Sequence, residues 1–241
     1  MKFFKINILV LIFTFGLCQL LIAATGPASV YKVQIRKIEL CGSGSSATTC
    51  ANAVTLYEGD SGEINIADTA NGAAAASLGN LTKATMGQSY DWVQVTMERA
   101  FTVSGYASPD GGADTCYTNT GEAGTASEAS AGSASSDDQS PTTLYAGIVS
   151  TGNDNTVNSL NKIGGTSQDA GTIADGDEFM EWRGPLSTTF TPTVGRVPQL
   201  MIAFGFDNAV YAGDNMGSDC NTQDVAVGLW ANEPSVTMTI Q

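Results

Sequence analysis

Histidine is absent from this 241-residue chain. Its absence excludes Ser-His-Asp and Cys-His catalysis, His-ligated metals and an imidazole pH switch. Bases are scarce too: 10 Lys and Arg stand against 24 Asp and Glu, for a formal net charge of −14. A field of that sign repels phosphate backbones, so nucleic acid is not expected among the partners. Charged residues of both signs make up only 14 % of the chain, against about 25 % in an average soluble domain. The acidity therefore reflects missing bases and scattered Asp, not acidic blocks. Helical periodicity is also missing. Past residue 25, apolar residues nowhere recur at i, i+3, i+4, i+7 over three turns, and Gly72 and Gly79 limit the Ala-rich stretch 73–81 to a turn or two.

What is present begins with an address. Lys2 and Lys5 precede an apolar stretch, 8–18, broken only by Thr14, and the small residues Ala23 and Ala24 follow. A basic head, a short apolar core and a small-residue end form the secretory signal pattern, which predicts removal of residues 1–24. The core is shorter than the roughly 20 residues a spanning helix needs, so no membrane span is expected after cleavage. Lipid attachment at Cys18 is disfavoured by the bulk of Phe15-Gly16-Leu17. A pilin-type cleavage after Gly16 would carry Glu where Leu21 stands. The expected location is secreted, periplasmic or cell surface. Residues 25–241 then carry 8 bases against 24 acids, a net −16, with the bases concentrated near the new N-terminus.

Signal removal also takes away Cys18 and leaves Cys41, Cys50, Cys116 and Cys220. An even count in an exported chain favours disulfides over metal ligation, and no C-x-x-C is present to suggest redox chemistry. Three pairings are open. The loop between Cys41 and Cys50 is a flexible Gly-Ser-Gly-Ser-Ser-Ala-Thr-Thr that closes easily, which favours pairing those two and leaves Cys116 and Cys220 to pair over a long range.

Period-two alternation dominates the remainder and predicts strands. Tyr31, Val33 and Ile35 alternate, then Ile38 and Leu40 continue in the opposite phase, which predicts a bulge near Arg36-Lys37. Ile64 and Ile66 follow the turn signal Gly59-Asp60-Ser61-Gly62; Val93, Val95 and Met97 define another strand, extended by Phe101 and Val103. Leu200, Ile202, Phe204 and Phe206 face one way with Met201, Ala203 and Gly205 behind them, the pattern of a central, buried strand. Val225, Val227 and Leu229 repeat the pattern, as do Val236, Met238 and Ile240, whose apolar strand needs a pairing partner. About ten short strands separated by Gly/Asp/Asn/Pro loops predict an all-β fold, an antiparallel β-sandwich or jelly-roll with long polar loops. In residues 117–140, 17 of 24 are Ala, Gly, Ser or Thr. Such a stretch has little apolar surface to offset its ordering entropy, and a flexible surface loop is expected there within a single domain, 25–241.

Candidate chemistry is thin. Acidic turns at 110–114, 153–155, 175–178 and 214–215 gather oxygen ligands, and Asp175, Asp177 and Glu178 form the best candidate calcium site, although none has the EF-hand spacing. No other cofactor is expected. Glu98, Glu178 and Glu181 are the carboxylates nearest to a glycoside-hydrolase pairing, without a spacing that sets them across a cleft. Asp60-Ser61-Gly62 is a lone aspartic-protease-like triplet and reads as a turn. Trp92, Trp182 and Trp230, with Tyr90, Tyr106, Tyr145 and Tyr211, could stack on sugar rings or serve as core. Lys32, Arg36 and Lys37 place three of the eight bases on the first strand, either to dock on another subunit's acidic loops or to protect a solvated edge strand. The expectation is an exported, non-catalytic structural or interaction protein at or beyond the cell surface. Its partners would be copies of itself or other envelope proteins, joined by edge-strand addition. The alternative is a secreted carbohydrate-binding module, calcium-assisted, with a glycan as partner.

Overall fold

The alternating stretch with a phase change in its middle becomes the longest described strand, and much of the fold is arranged around it. A computed structural model describes residues 25–68, 79–109, 115–121, 123–125, 128–146, 160–163, 179–195, 198–213, 220–223 and 228–240. In chain order the described strands are β1 (Thr25–Gly26), β2 (Ala28–Gly42), β3 (Val54–Glu58), β4 (Glu63–Asn65), β5 (Tyr90–Glu98), β6 (Ala100–Ala107), β7 (Cys116–Thr118), β8 (Gly132–Ser133), β9 (Thr142–Tyr145), β10 (Leu160–Ile163), β11 (Phe179–Phe190), β12 (Leu200–Gly205), β13 (Val210–Ala212), β14 (Leu229–Ala231) and β15 (Ser235–Ile240). Helical structure among the described residues is confined to two 3₁₀ turns, Leu81–Lys83 and Ser136–Asp138. The chain is all-β and sandwich-like, as its alternation predicts. The main sheet runs β12-β15-β11-β5-β2-β6-β7-β8, with β10 on β11, β3 and β4 on β2, and β9 on β6; β1, β13 and β14 form a small second sheet.

Strand β2 carries two cores. Its first half pairs with β6 and β4, and its second half with β5 and β3. The phase change predicted at Arg36-Lys37 coincides with a shift in the β2–β5 ladder between Ile35 and Lys37. Without that shift, Ile38 and Leu40 would turn to the face opposite Tyr31 and Val33; with it, all four are buried. Tyr31 and Val33 belong to one buried cluster with Phe101, Leu144 and Leu229, while Ile38 and Leu40 belong to a second with Tyr90, Val93 and Trp182. Ile35 and Met97 pack against both.

Strand β11 joins the β15 and β5 sides of the main sheet. It pairs antiparallel with β5 from Phe179 to Pro185, pairs parallel with β15 at Leu186↔Met238, and meets β5 again at Phe190↔Tyr90 after a register shift. Pro185 stands at the start of that shift and has no N–H to give to the ladder. Gly184 is needed beside it, because a Cβ there would overlap the indole ring of Trp182.

Both disulfides form in the favoured scheme, Cys41–Cys50 with Cα atoms 5.0 Å apart and Cys116–Cys220 with 5.5 Å. The first closes a loop in which Ser45 Oγ donates to the Gly42 carbonyl at 2.6 Å and accepts from Ala51 N at 2.9 Å. The second lies inside the Tyr31 cluster, with both cysteines fully buried.

Two segments have a place in the fold that their composition and alternation do not show. The stretch 117–140 contains β7, β8 and a 3₁₀ turn, and Thr118, Ala129, Ser130 and Ala131 are buried. Small side chains let its backbone approach closely enough for Ser130 N and Leu229 O to bond at 3.0 Å, and Leu229 N and Ser130 O at 2.8 Å. Low apolar area per residue is offset here by main-chain pairing. The segment read as a central strand, now β12, ends the sheet: it pairs with β15, and among the described residues no strand covers its other side. Alternation reports which faces are apolar, and says nothing of how many neighbours a strand has.

Candidate functional site

An edge with the composition of a central strand is the feature that sets β12 apart. Its six residues, Leu-Met-Ile-Ala-Phe-Gly, include no charge and no proline, and its ladder with β15 runs from Leu200↔Ile240 to Gly205↔Ser235 without a register shift. Edges are ordinarily blunted by charges, proline, bulges or brevity. The opposite end of the main sheet obeys that rule, since β8 is two residues long. Leu200, Ile202 and Phe204 pack partly on the cores, and all six β12 residues remain half-buried. At the Leu200 end a groove of about 710 Å³ opens, lined by Leu81, Met86, Phe190, Val194, Pro198 and Ile240 among others. Val194 is 91 % exposed there and Met86 54 %. Thr188, Thr189, Thr191 and Thr193 line the same groove, which meets β12 only through Ile240, the ladder partner of Leu200.

A second polar constellation lies on the face of β2, β5 and β11 opposite their core residues. Alternation puts Glu39 between Ile38 and Leu40, Gln94 between Val93 and Val95, and Trp182 between Glu181 and Arg183. The pairing register then lines up Thr55, Glu39, Gln94 and Arg183 across four strands. Gln94 Nε2 donates to Glu39 Oε2 at 2.7 Å and to Glu181 Oε1 at 3.2 Å. Arg183 bonds both Gln94 and Glu181, and Lys37 pairs with Glu39 at 2.6 Å. Burial pushes the Glu181 carboxyl above its ordinary range and Arg183 pulls it back. These carboxylates are engaged by donors on neighbouring strands, the arrangement of a structural network that fixes register.

Of the other candidate residues, Glu98 is held by Arg36, which also pairs with Asp60 at 2.9 Å. Asp60-Ser61-Gly62 forms the turn between β3 and β4, where Asp60 Oδ1 accepts from Gly62 N at 2.8 Å. That bond, then Gln34 and Arg36, hold the Asp60 carboxyl below its ordinary range. Lys32 pairs with Glu63 at 3.3 Å. All three bases of β2 are therefore joined to acids of their own chain, and β2 is interior to the sheet, so the edge-guard reading does not fit their positions.

Among the aromatic candidates Tyr90, Trp182 and Trp230 are buried core residues. Tyr145 lies under the guanidinium of the fully buried Arg99, 5.3 Å from its ring centroid. Tyr106, 38 % exposed, forms a tilted pair with Tyr117, their centroids 5.4 Å apart. The calcium candidates Asp175, Asp177 and Glu178 lie outside the described residues, as do the signal segment and the other acidic turns apart from isolated neighbours. Among the described residues no group of three His, Cys, Asp or Glu is arranged to hold a metal ion, and no helix is long and apolar enough to cross a membrane. The β12 margin has a sequence signal, since its uncharged alternating run is visible; its edge position is not.

No protein-family model matches the chain, and neither a curated protein nor a solved structure matches it.

Proposed function

We propose that this protein is an exported, non-catalytic subunit that assembles with copies of itself by adding strands at the β12 edge. The reading rests on one observation: among the described residues, six consecutive uncharged, half-buried ones end the main sheet, without a bulge or proline to blunt the edge. Strand addition supplies affinity through backbone hydrogen bonds and selectivity through alternating side chains. The two disulfides suit a subunit that works in an oxidising compartment. Sedimentation of the purified protein over a rising concentration series is expected to show dimers or larger species. Met201→Lys, a charge on the edge, is expected to shift the population to monomer with stability changed by less than about 0.5 kcal/mol. A wild-type protein that stays monomeric at high concentration would falsify the reading.

A glycan-binding role ranks second and rests on the half-exposed Tyr106–Tyr117 pair. Screening against a glycan array with and without chelator separates it from the first, because assembly through β12 requires no sugar.

A further inference from the structure

The seam between the two cores is not filled. Where the inward residues of β2, β5, β11, β12 and β15 meet, they leave an apolar cavity of about 90 Å³, walled by Ile35, Met97, Met180, Phe204 and Val236 among others. An apolar cavity of about 150 Å³ stays dry and accepts benzene, so this one has room for a short aliphatic chain. Its polar groups are gathered at one end, on the segment 232–233. Tyr31 Oη donates to the Asn232 carbonyl at 2.9 Å, and Trp182 Nε1 donates to the Glu233 carboxylate. Trp182, Glu233, Pro234 and Val236 also line a second, outward pocket of about 360 Å³, together with Asp207, Asn208 and Ser235. The two spaces are therefore adjacent, an apolar chamber and a polar vestibule that meet at the side chains of Trp182, Glu233, Pro234 and Val236. Two carboxylates, Asp207 and Glu233, line the vestibule, and no Lys or Arg stands among its described lining residues.

We propose that the two spaces together bind a small primary alkylammonium ion, with its alkyl chain in the apolar chamber and its ammonium in the vestibule beside Asp207 and Glu233. Charge decides the head group. A carboxylate ligand would meet two acids and no base, whereas an ammonium supplies three donors to them. Burial raises the Glu233 pKa while the Trp182 indole N–H opposes the rise, and a bound cation relieves the cost of ionising that carboxyl. The chamber decides the tail, which must be unbranched and short. The site shares Ile202 and Phe204 with β12 but does not use that strand's free edge.

Titration calorimetry of the purified protein with ethylamine, n-propylamine and n-butylamine, against n-butyrate, tests the proposal. Saturable binding of butylamine is expected, at least tenfold tighter than butyrate, with about a fourfold gain per methylene from the buried CH₂. Ile202→Phe, which fills the chamber, is expected to abolish the chain-length dependence. Asp207→Asn, on the vestibule wall and outside the core, is expected to weaken the amine several-fold, and it decides the matter if the first variant misfolds. Equal binding of amine and butyrate, no saturable binding of butylamine, or affinity indifferent to chain length overturns the proposal.

Discussion

The end of the molecule around Cys116–Cys220 and the end built by β12 and β15 achieve burial by opposite means. At the first, Ala107, Cys116, Ala209, Ala212, Cys220 and Leu229 are fully buried, and all but Leu229 are small. Backbones lie close enough there for Gly132 N to donate to the Cys220 carbonyl at 2.7 Å. At the second, large residues such as Met201, Ile202 and Phe204 remain half-buried, and the packing encloses a cavity. At the first end small residues are buried by close backbone approach beside a covalent cross-link, whereas of the β12 and β15 residues only Met238 is buried outright. Large apolar groups at a margin without either leave surface and volume unfilled, and both the proposed assembly edge and the proposed ligand site lie in that margin.

Removing the long-range staple should break this contrast most strongly. The Cys116→Ala/Cys220→Ala pair releases a bridge spanning 104 positions, for an expected loss of about 5 kcal/mol by chain entropy. Cys41→Ala/Cys50→Ala releases one spanning 9, for about 3 kcal/mol. Urea unfolding of the two double variants measures both. Equal losses would mean that the closed end is held by its packing and not by its cross-link.

A pair of glycines sharpens the contrast at smaller cost. A Cβ on Gly228, at the closed end, would overlap Ala129 Cβ and lie 3.0 Å from the backbone oxygens of Ser130 and Thr222, none of which can turn aside. Gly228→Ala is expected to cost about 1–3 kcal/mol. A Cβ on Gly205, at the end of β12, would press on the Ser235 hydroxyl, the free end of a rotatable side chain. Gly205→Ala is expected to be within about 0.5 kcal/mol of neutral, because lower unfolded-state entropy offsets the small rearrangement. Thermal unfolding of the two single variants, side by side, would reverse the comparison if Gly205→Ala proved the costlier.

The same contrast explains what was legible in the sequence. Strand content, the bulge after Ile35 and the favoured disulfide scheme follow from alternation, phase and spacing, which are local signals. The packing of Ala129 and Ser130 against Leu229 is not local: their small side chains look like loop composition until a partner backbone 99 positions away is placed beside them. Likewise the run Leu200 to Gly205 announces two apolar faces, and only topology makes it an edge. Glu233 carried no signal at all. It is one of 24 acids, distinguished only by Trp182 and the cavity wall, which the fold brings to it from β11 and the other lining strands.

That residue supplies the finest probe of the open end. Burial raises the folded-state pKa of Glu233 above its ordinary 4.5, so the folded protein holds this proton after the unfolded chain has released it. The stability linked to that proton is fully present below about pH 4.5 and is lost as pH rises through the folded value. Asp60 and Glu63 work in the opposite sense: their lowered pKa values give stability that is present above the ordinary carboxylate value and lost in acid. Glu181, raised by burial, shares the sign of Glu233. All three are common to the wild type and to Glu233→Gln, so the difference between the two proteins isolates Glu233. The glutamine carbonyl can still accept from Trp182 Nε1 without carrying a charge. The variant is therefore expected to match the wild type near pH 4 and to gain a slightly higher Tm towards pH 7, the smallest of the effects considered. Parallel curves across that range would mean that water reaches the carboxyl freely, and that the margin is more open than the wall shared by the chamber and its vestibule implies.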